Sequence, residues 1–311
     1  MALLLLTPAG AGAKVAGGQP VALVTAEKQD ELIAVELPQG RVAGRVRLPA
    51  DPQNVIADPG APTVVVSAKG GAVTLLGARS LIVLKVFRGL SNPHLAAYSP
   101  DRRYAYVTAD GSGQLVVVSL SRRQIVARLF VGLGAHHLAV SPDGARIWIG
   151  LGERAEAVAI VDSSNPLRPR LAGRFVPHFT VHDLAFSPDG RRVWLTSDDE
   201  ERVHVVDTRT RRVLFSVTAG PPPQHVVFDQ RHAFLTSGYG SRIELVDPKH
   251  GTVLRTVRQP YGSFNVATSG GLVATSSLLN GTLRELSGLL QPLRTVRVGG
   301  ATRDVALTVW P

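Results

Sequence analysis

Seven residue pairs recur along this chain, each just ahead of a short apolar segment. They are Gln53-Asn54, His94-Leu95, His136-His137, His182-Asp183, Gln224-His225, Phe264-Asn265 and Arg303-Asp304. Five of the nine histidines fall in these pairs. Imidazole nitrogens and carboxylate oxygens are ligands for zinc, copper, nickel or iron. A ring of convergent polar groups also suits a small organic ligand. The ligand-binding candidates are therefore Asn54, His94, His136, His137, His182, Asp183, His225, Asn265, Arg303 and Asp304. His137, Asp183 and His225 share the second position of successive pairs, which makes them the candidate metal ligands, and a divalent ion the candidate cofactor. His94, His136 and His182 share the first position, and strand alternation predicts that the two positions face different ways. A plainer role is open to all of them. A polar residue before a strand can satisfy backbone groups, and a repeat copies it regardless of function.

Positioning such pairs requires a repeat. GAHHLAVSPDGARIWIG at 134–150 is echoed by HDLAFSPDGRRVWL at 182–195 and more loosely by HLAAYSPDRRYAYV at 94–107. Each reads as strand, turn, strand. The second strand ends in a small residue, and that column runs through Thr25, Ser67, Thr108, Gly150, Thr196, Thr236 and Thr275. Its spacings are 42, 41, 42, 46, 40 and 39 residues, the period of a propeller blade. Third and fourth strands follow in every copy, rich in β-branched residues and closed by Gly or Pro. In SPDG, Pro presets the turn, Asp bonds the local backbone and Gly takes the left-handed position, so Asp143 and Asp189 read as structural.

The first copy lacks an inner strand, and RDVALTVWP at the end is an inner strand without a blade. Joining the two closes a ring and removes its open edges. The prediction is an all-β, seven-bladed β-propeller with four-stranded antiparallel blades over 19–311. Residues 1–18 form a signal-peptide remnant or irregular N-terminus. The long spacing in blade four predicts a longer loop before its outer strand, within DSSNPLRPRLAGRF. Inner strands surround a propeller's channel, so the seven pairs converge at one mouth.

The motifs HxLAVSPDG, VWLTS and VHVVDTRTRRVLFSVTAG resemble the YVTN family of bacterial propeller repeats, which is similar in turn to propellers described as lactonase-like. The resemblance covers about residues 20–310 and is strongest in blades three to five. It implies a WD40-like architecture and leaves activity open, since one propeller hosts many functions. No residue set here carries over a lactonase active site.

Composition narrows the classes further. With 44% hydrophobic residues the chain can build a large core. With no cysteine it has neither disulfides nor thiolate ligands, so a metal site must use His, Asp, Glu or backbone oxygen. The net charge of +10 invites an anionic partner, but the basic residues form no long run. Leu3 to Leu6 followed by Ala11-Gly12-Ala13 resembles a signal peptide and predicts export to the periplasm, cell surface or medium. No stretch is long and apolar enough for a membrane span. The loop between strands two and three opens on the histidine face. It carries Asp198, Asp199, Glu200 and Glu201 in blade five, Glu153 and Glu156 in blade four, Tyr239 in blade six and Lys69 in blade two.

P-loop, GxSxG and HExxH patterns are missing. The leading expectation is a non-catalytic, monomeric binding scaffold that presents the channel mouth to a protein, glycan or small ligand. The alternatives are a lactonase-like or metal-dependent hydrolase at the same mouth, and nucleic-acid binding through surface arginines. The last has few stacking platforms at 5% aromatic content.

Overall fold

A computed structural model describes residues 18–197 and 199–311. The segment expected to be a signal peptide lies outside the described residues, apart from Gly18. Seven four-stranded antiparallel sheets form the seven blades. Their inner strands are Thr302–Trp310, Pro52–Asp58, Pro93–Tyr98, Ala135–Val140, Leu184–Phe186, Val226–Phe228 and Val266–Ser269, for blades one to seven. The sole helical turn among the described residues is Asp110–Ser112. No helix among them is long and apolar enough to cross a membrane.

The ring closes as the two chain ends predict. Thr302–Trp310 pairs with Gln19–Ala26, setting Ala22 against Leu307 and Val21 against Thr308. This gives the first blade its fourth strand, so Gln19–Ala26 is not left as a sheet edge. The SPDG hairpins follow the turn chemistry. Asp143 Oδ1 accepts from Ser141 Oγ at 2.5 Å and from Ala145 N at 3.0 Å, and Gly144 sits at φ +73°. Those hydrogen bonds, the serine hydroxyl first, hold the Asp143 carboxyl below the usual range. Asp189 repeats the arrangement with Ser187 and Arg191.

The blades stick together through seven hydrophobic clusters, one at each blade–blade interface. Between blades four and five lie Trp148, Ile160, Leu184 and Leu195; between five and six lie Trp194, Val205, Val226 and Leu235. Burying a side chain of this kind stabilises by about 1.5–3 kcal/mol, so blade order is enforced at every interface. The extra length of blade four is split between two loops. One is the expected loop at 163–169 before the outer strand Arg170–Phe175. The other, at 152–157, joins strands two and three and is pinned by a bridge from Ala155 to Val181.

The outer strands are exposed and basic. RVAGRVR, VLKVF, QIVARLF, RLAGRF, TVLRTVR and PLRTVR each carry Lys or Arg, and only VLFSVT of blade five lacks one. Positive charge thus girdles the whole rim. Charged edges of this sort block edge-to-edge pairing with other sheets.

Candidate functional site

The inner strands bulge where the residue pairs sit. Register shifts occur between Pro93 and Ala96 and between Ala135 and Leu138, and the partner strands shift across Val24 and Ala26 opposite Arg303-Asp304. A bulge inserts an extra residue and re-aims the side chains beside it. This is why the alternation argument fails for the histidines. His136 and His137 are consecutive, yet their ring centroids lie 4.8 Å apart at one mouth.

The Asp and Asn members of the second column hold neighbouring blades together. Asp304 Oδ2 accepts from Val55 N at 2.9 Å and from Asn54 Nδ2 at 2.8 Å. Asn54 Oδ1 accepts from Ala96 N at 2.9 Å, and Asp183 Oδ2 accepts from Val226 N at 3.1 Å. Asn265 Nδ2 donates to the Arg303 carbonyl at 3.0 Å. Each of these bonds crosses to the next blade and satisfies a backbone group at the channel mouth. Burial pushes the Asp304 carboxyl above its ordinary range, against the hydrogen bonds it accepts. Arg303 turns to the rim, with its guanidinium 5.9 Å from the Phe264 ring centre and 3.7 Å from Glu27.

The small-residue column buttresses the same bulges. Thr196 Oγ1 accepts from Asp183 N at 2.8 Å and donates to the Gln224 carbonyl at 2.9 Å. Thr108 does likewise between Leu95 N and the His136 carbonyl, and Thr236 between His225 N and the Phe264 carbonyl. A hydroxyl that donates and accepts at once can join two blades. The sequence shows the column, and the structure gives its purpose.

The five histidines converge into two triads that share His137. One is His137, His182 and His225; the other is His94, His136 and His137. Within each triad the ligand atoms lie within 4.8 Å of one another. His94 and His136 stack with centroids 3.6 Å apart and planes 13° apart. The structure joins His182, rather than Asp183, to His137 and His225. Asp183 stands behind the cluster, with Oδ2 3.2 Å from His225 Nδ1.

Protein oxygens face the Nδ1 atoms of four of these rings. His136 Nδ1 lies 3.0 Å from Asp110 Oδ2, and His182 Nδ1 lies 3.1 Å from the Glu153 carbonyl. His137 Nδ1 contacts the His182 carbonyl. Such outer partners fix the tautomer with hydrogen on Nδ1 and direct the Nε2 lone pair to a metal. His137 is only 2% exposed. Burial, followed by the neighbouring histidines, drives its basicity well below the usual imidazole range, and the same holds for His94. His136 is lowered by burial in spite of Asp110. These rings are therefore neutral at pH 7, the form that binds metal.

His94 Nε2 and His137 Nε2 lie 3.4 Å apart. That is long for a hydrogen bond between nitrogens. It matches the edge of a tetrahedron with metal–nitrogen bonds of about 2.05 Å, which is roughly 3.3 Å. A square-planar site would bring adjacent nitrogens to about 2.9 Å.

Asp110 was not apparent as a site residue from the sequence. Its signal is positional, for it lies in the same loop that carries Glu153 in blade four. Of the acidic loop of blade five, Asp198 lies outside the described residues. Asp199 pairs with Arg154 and accepts from Thr180, and Glu200 lies 3.1 Å from His204 Nε2. Asp199 and Glu200 therefore form ion pairs, and neither belongs to a triad among the described residues. His178 borders an open hollow with Phe179 and Glu156, apart from both triads.

A family model described as the cytochrome D1 heme domain matches residues 57–165, about a third of the chain. A search of curated proteins finds no match. Among solved structures, a functionally unknown protein from Desulfotomaculum acetoxidans is 15% identical with a TM-score of 0.80, covering 94% of this chain and 99% of its own. Apo AztD from Citrobacter koseri is 11% identical with a TM-score of 0.72, covering 94% and 98%. The dihydro-heme d1 dehydrogenase NirN, in complex with DHE, is 16% identical with a TM-score of 0.67, covering 89% and 63%.

A haem does not fit the residues of this mouth. The space bounded by His94, His137, His225, Asn265 and Asp304 is about 20 Å³, room for a water or an ion. The adjoining channel is larger, about 410 Å³, but its wall is mostly aliphatic, and the one guanidinium lining the mouth, that of Arg303, lies 3.7 Å from Glu27. At these identities the likeness is one of fold: the chain is a seven-bladed β-propeller whose chemistry must be read from its own residues.

Proposed function

We propose that this propeller is a non-catalytic zinc-binding protein that holds one ion at the mouth of its central channel. The observation that carries this reading is the triad His137, His182 and His225, with ligand atoms within 4.8 Å and each Nδ1 against a protein oxygen. Three imidazoles suit zinc, copper, nickel or iron. In the neighbouring triad, the tetrahedral edge between His94 and His137 favours zinc over ions that prefer square-planar sites.

Binding is favoured over hydrolysis because three carboxylates at the mouth are already engaged. Asp183 serves His225 and Val226 N, Asp110 serves His136, and Asp304 serves Asn54 and Val55 N. A hydrolase needs room for a substrate beside its proton-transfer group. About 20 Å³ between the histidines gives little such room. Nucleic-acid binding ranks third, because the basic residues circle the rim and do not dominate one face. The likeness to YVTN-repeat propellers describes the repeat, and we attach no lactonase-like activity to it.

The test is metal content by mass spectrometry on untagged protein equilibrated with zinc and then gel-filtered. We expect about one zinc per chain, lost in His137→Ala/His225→Ala. Wild-type protein that retains no zinc would overturn the proposal.

A further inference from the structure

The second triad has a consequence that rests on the zinc reading. His94, His136 and His137 form a ligand set of their own, and His137 belongs to both sets. A neutral imidazole has one nitrogen lone pair to give. His137 Nδ1 faces the His182 carbonyl and so carries the hydrogen, which leaves Nε2 as its one ligand atom. That lone pair can serve one ion at a time.

We infer that the mouth offers two mutually exclusive zinc positions that pivot on His137, so that a single ion exchanges between His182/His225 and His94/His136 without leaving the protein.

The geometry supports an exchange of ligands. An ion with bonds of about 2.1 Å spans at most about 4.2 Å between opposed nitrogens. The five rings do not close on one such point and divide into two triads. The rings are nevertheless adjacent. His137 lies edge-on to His94 at 5.0 Å, to His182 at 4.8 Å and to His225 at 5.2 Å between centroids. An incoming imidazole can therefore bind before an outgoing one departs, while the His137 bond persists. The stacked pair His94 and His136 presents itself as a unit. The pivot is buried at 2% exposure, while His94, His136 and His225 are half-buried. This is the arrangement of a carrier that releases its ion in steps. The ion never has to break three bonds at once, and a ligand from an acceptor can take the open position of either triad.

The experiment compares wild type with His94→Ala/His136→Ala, which keeps one triad, and His182→Ala/His225→Ala, which keeps the other. The His182 carbonyl that holds His137 is backbone and survives the second change. Zinc stoichiometry and affinity are measured against a chelating indicator, cobalt(II) absorption spectra report the ligand sets, and circular dichroism confirms the fold. We expect one zinc per chain in all three proteins, with distinct cobalt spectra for the two variants. For exclusive positions, the wild-type association constant is the sum of the two variant constants, at most about twofold above the tighter.

Two zincs per wild-type chain would show the triads filling independently and overturn the inference. So would a folded double variant that binds no zinc, since the site would then be a single position. Wild type without zinc would instead overturn the zinc reading itself. His137→Gln should lose both positions; if it does not fold, the two double variants still decide the matter.

Discussion

Asp183 joins the architecture of the ring to the chemistry of the mouth, and its removal separates the two. One oxygen, Oδ2, accepts from Val226 N of the next blade at 3.1 Å and faces His225 Nδ1 at 3.2 Å. Asp183→Ala takes away both contacts. The orphaned backbone N–H is buried, which costs about 1–3 kcal/mol of stability. His225 loses the partner that fixes its tautomer, and losses of this kind weaken metal binding about 10- to 100-fold, or roughly 1.4–2.8 kcal/mol. Asp183→Asn behaves differently. Its amide oxygen can occupy the place of Oδ2 and accept from both donors, so only the charge is lost. We expect Asp183→Asn to keep stability within about 1 kcal/mol of wild type and zinc affinity within about tenfold. The assays are urea unfolding of the metal-free proteins and zinc competition against a chelating indicator. The reasoning fails if Asp183→Ala leaves both quantities unchanged, or if Asp183→Asn damages them as much as Asp183→Ala.

Three further perturbations test other parts of the structure. His94, His136 and His137 are held below the ordinary imidazole pKa of 6.5, so the unfolded chain takes up more protons. Stability is thus fully present above about pH 6.5 and lost as pH falls through the folded values. Glu285, raised by burial to about 7 with Arg294 opposing, acts with the opposite sign: its contribution is present below the ordinary 4.5 and is lost as pH rises through about 7. Urea midpoints measured from about pH 5 to 8 should fall at the acid end, and Glu285→Gln should remove part of any decline at the alkaline end. Thr196→Val keeps the shape but removes the hydroxyl between Asp183 N and the Gln224 carbonyl, and should cost about 1–3 kcal/mol by urea unfolding. Deleting residues 302–311 removes the strand paired with Gln19–Ala26, together with Val305 and the Asp304 staple. Size-exclusion chromatography should then show aggregation that the intact chain does not, and an unchanged elution and melting profile would refute closure by this strand.

The ring was legible in the sequence because its determinants are local and repeated. SPDG turns, β-branched runs and the Thr column each recur at blade spacing, and the unmatched strands at the two ends complete the count. The mouth was legible only as a place. Counting along a strand puts His136 and His137 on opposite faces, and the bulge between Ala135 and Leu138 overrides the count. Nothing in the local sequence announces that bulge, because it depends on partners from other blades, such as the Thr108 hydroxyl that binds the His136 carbonyl. For the same reason the column count groups Asp183, and not His182, with His137 and His225. Which one faces the cluster is decided by Val226 N, some forty residues away, which claims the carboxylate.

Repetition also explains how one column can carry two roles. The inner-strand N–H that follows a residue pair needs an acceptor from the preceding blade, and Asn54, Asp183 and Asp304 supply it for Ala96, Val226 and Val55. His137 occupies the same column but meets the following blade through Nδ1, at the His182 carbonyl. An imidazole has a second nitrogen, which a carboxylate staple has no counterpart for: once Nδ1 has done the architectural task, Nε2 is still aimed into the mouth. A histidine in place of an aspartate thus adds a ligand while keeping a bond between blades. This makes His137 a position where one side chain both ties two blades and supplies a ligand. It also accounts for the pivot being the most deeply buried ring of the five, since the residue that ties two blades must sit between them.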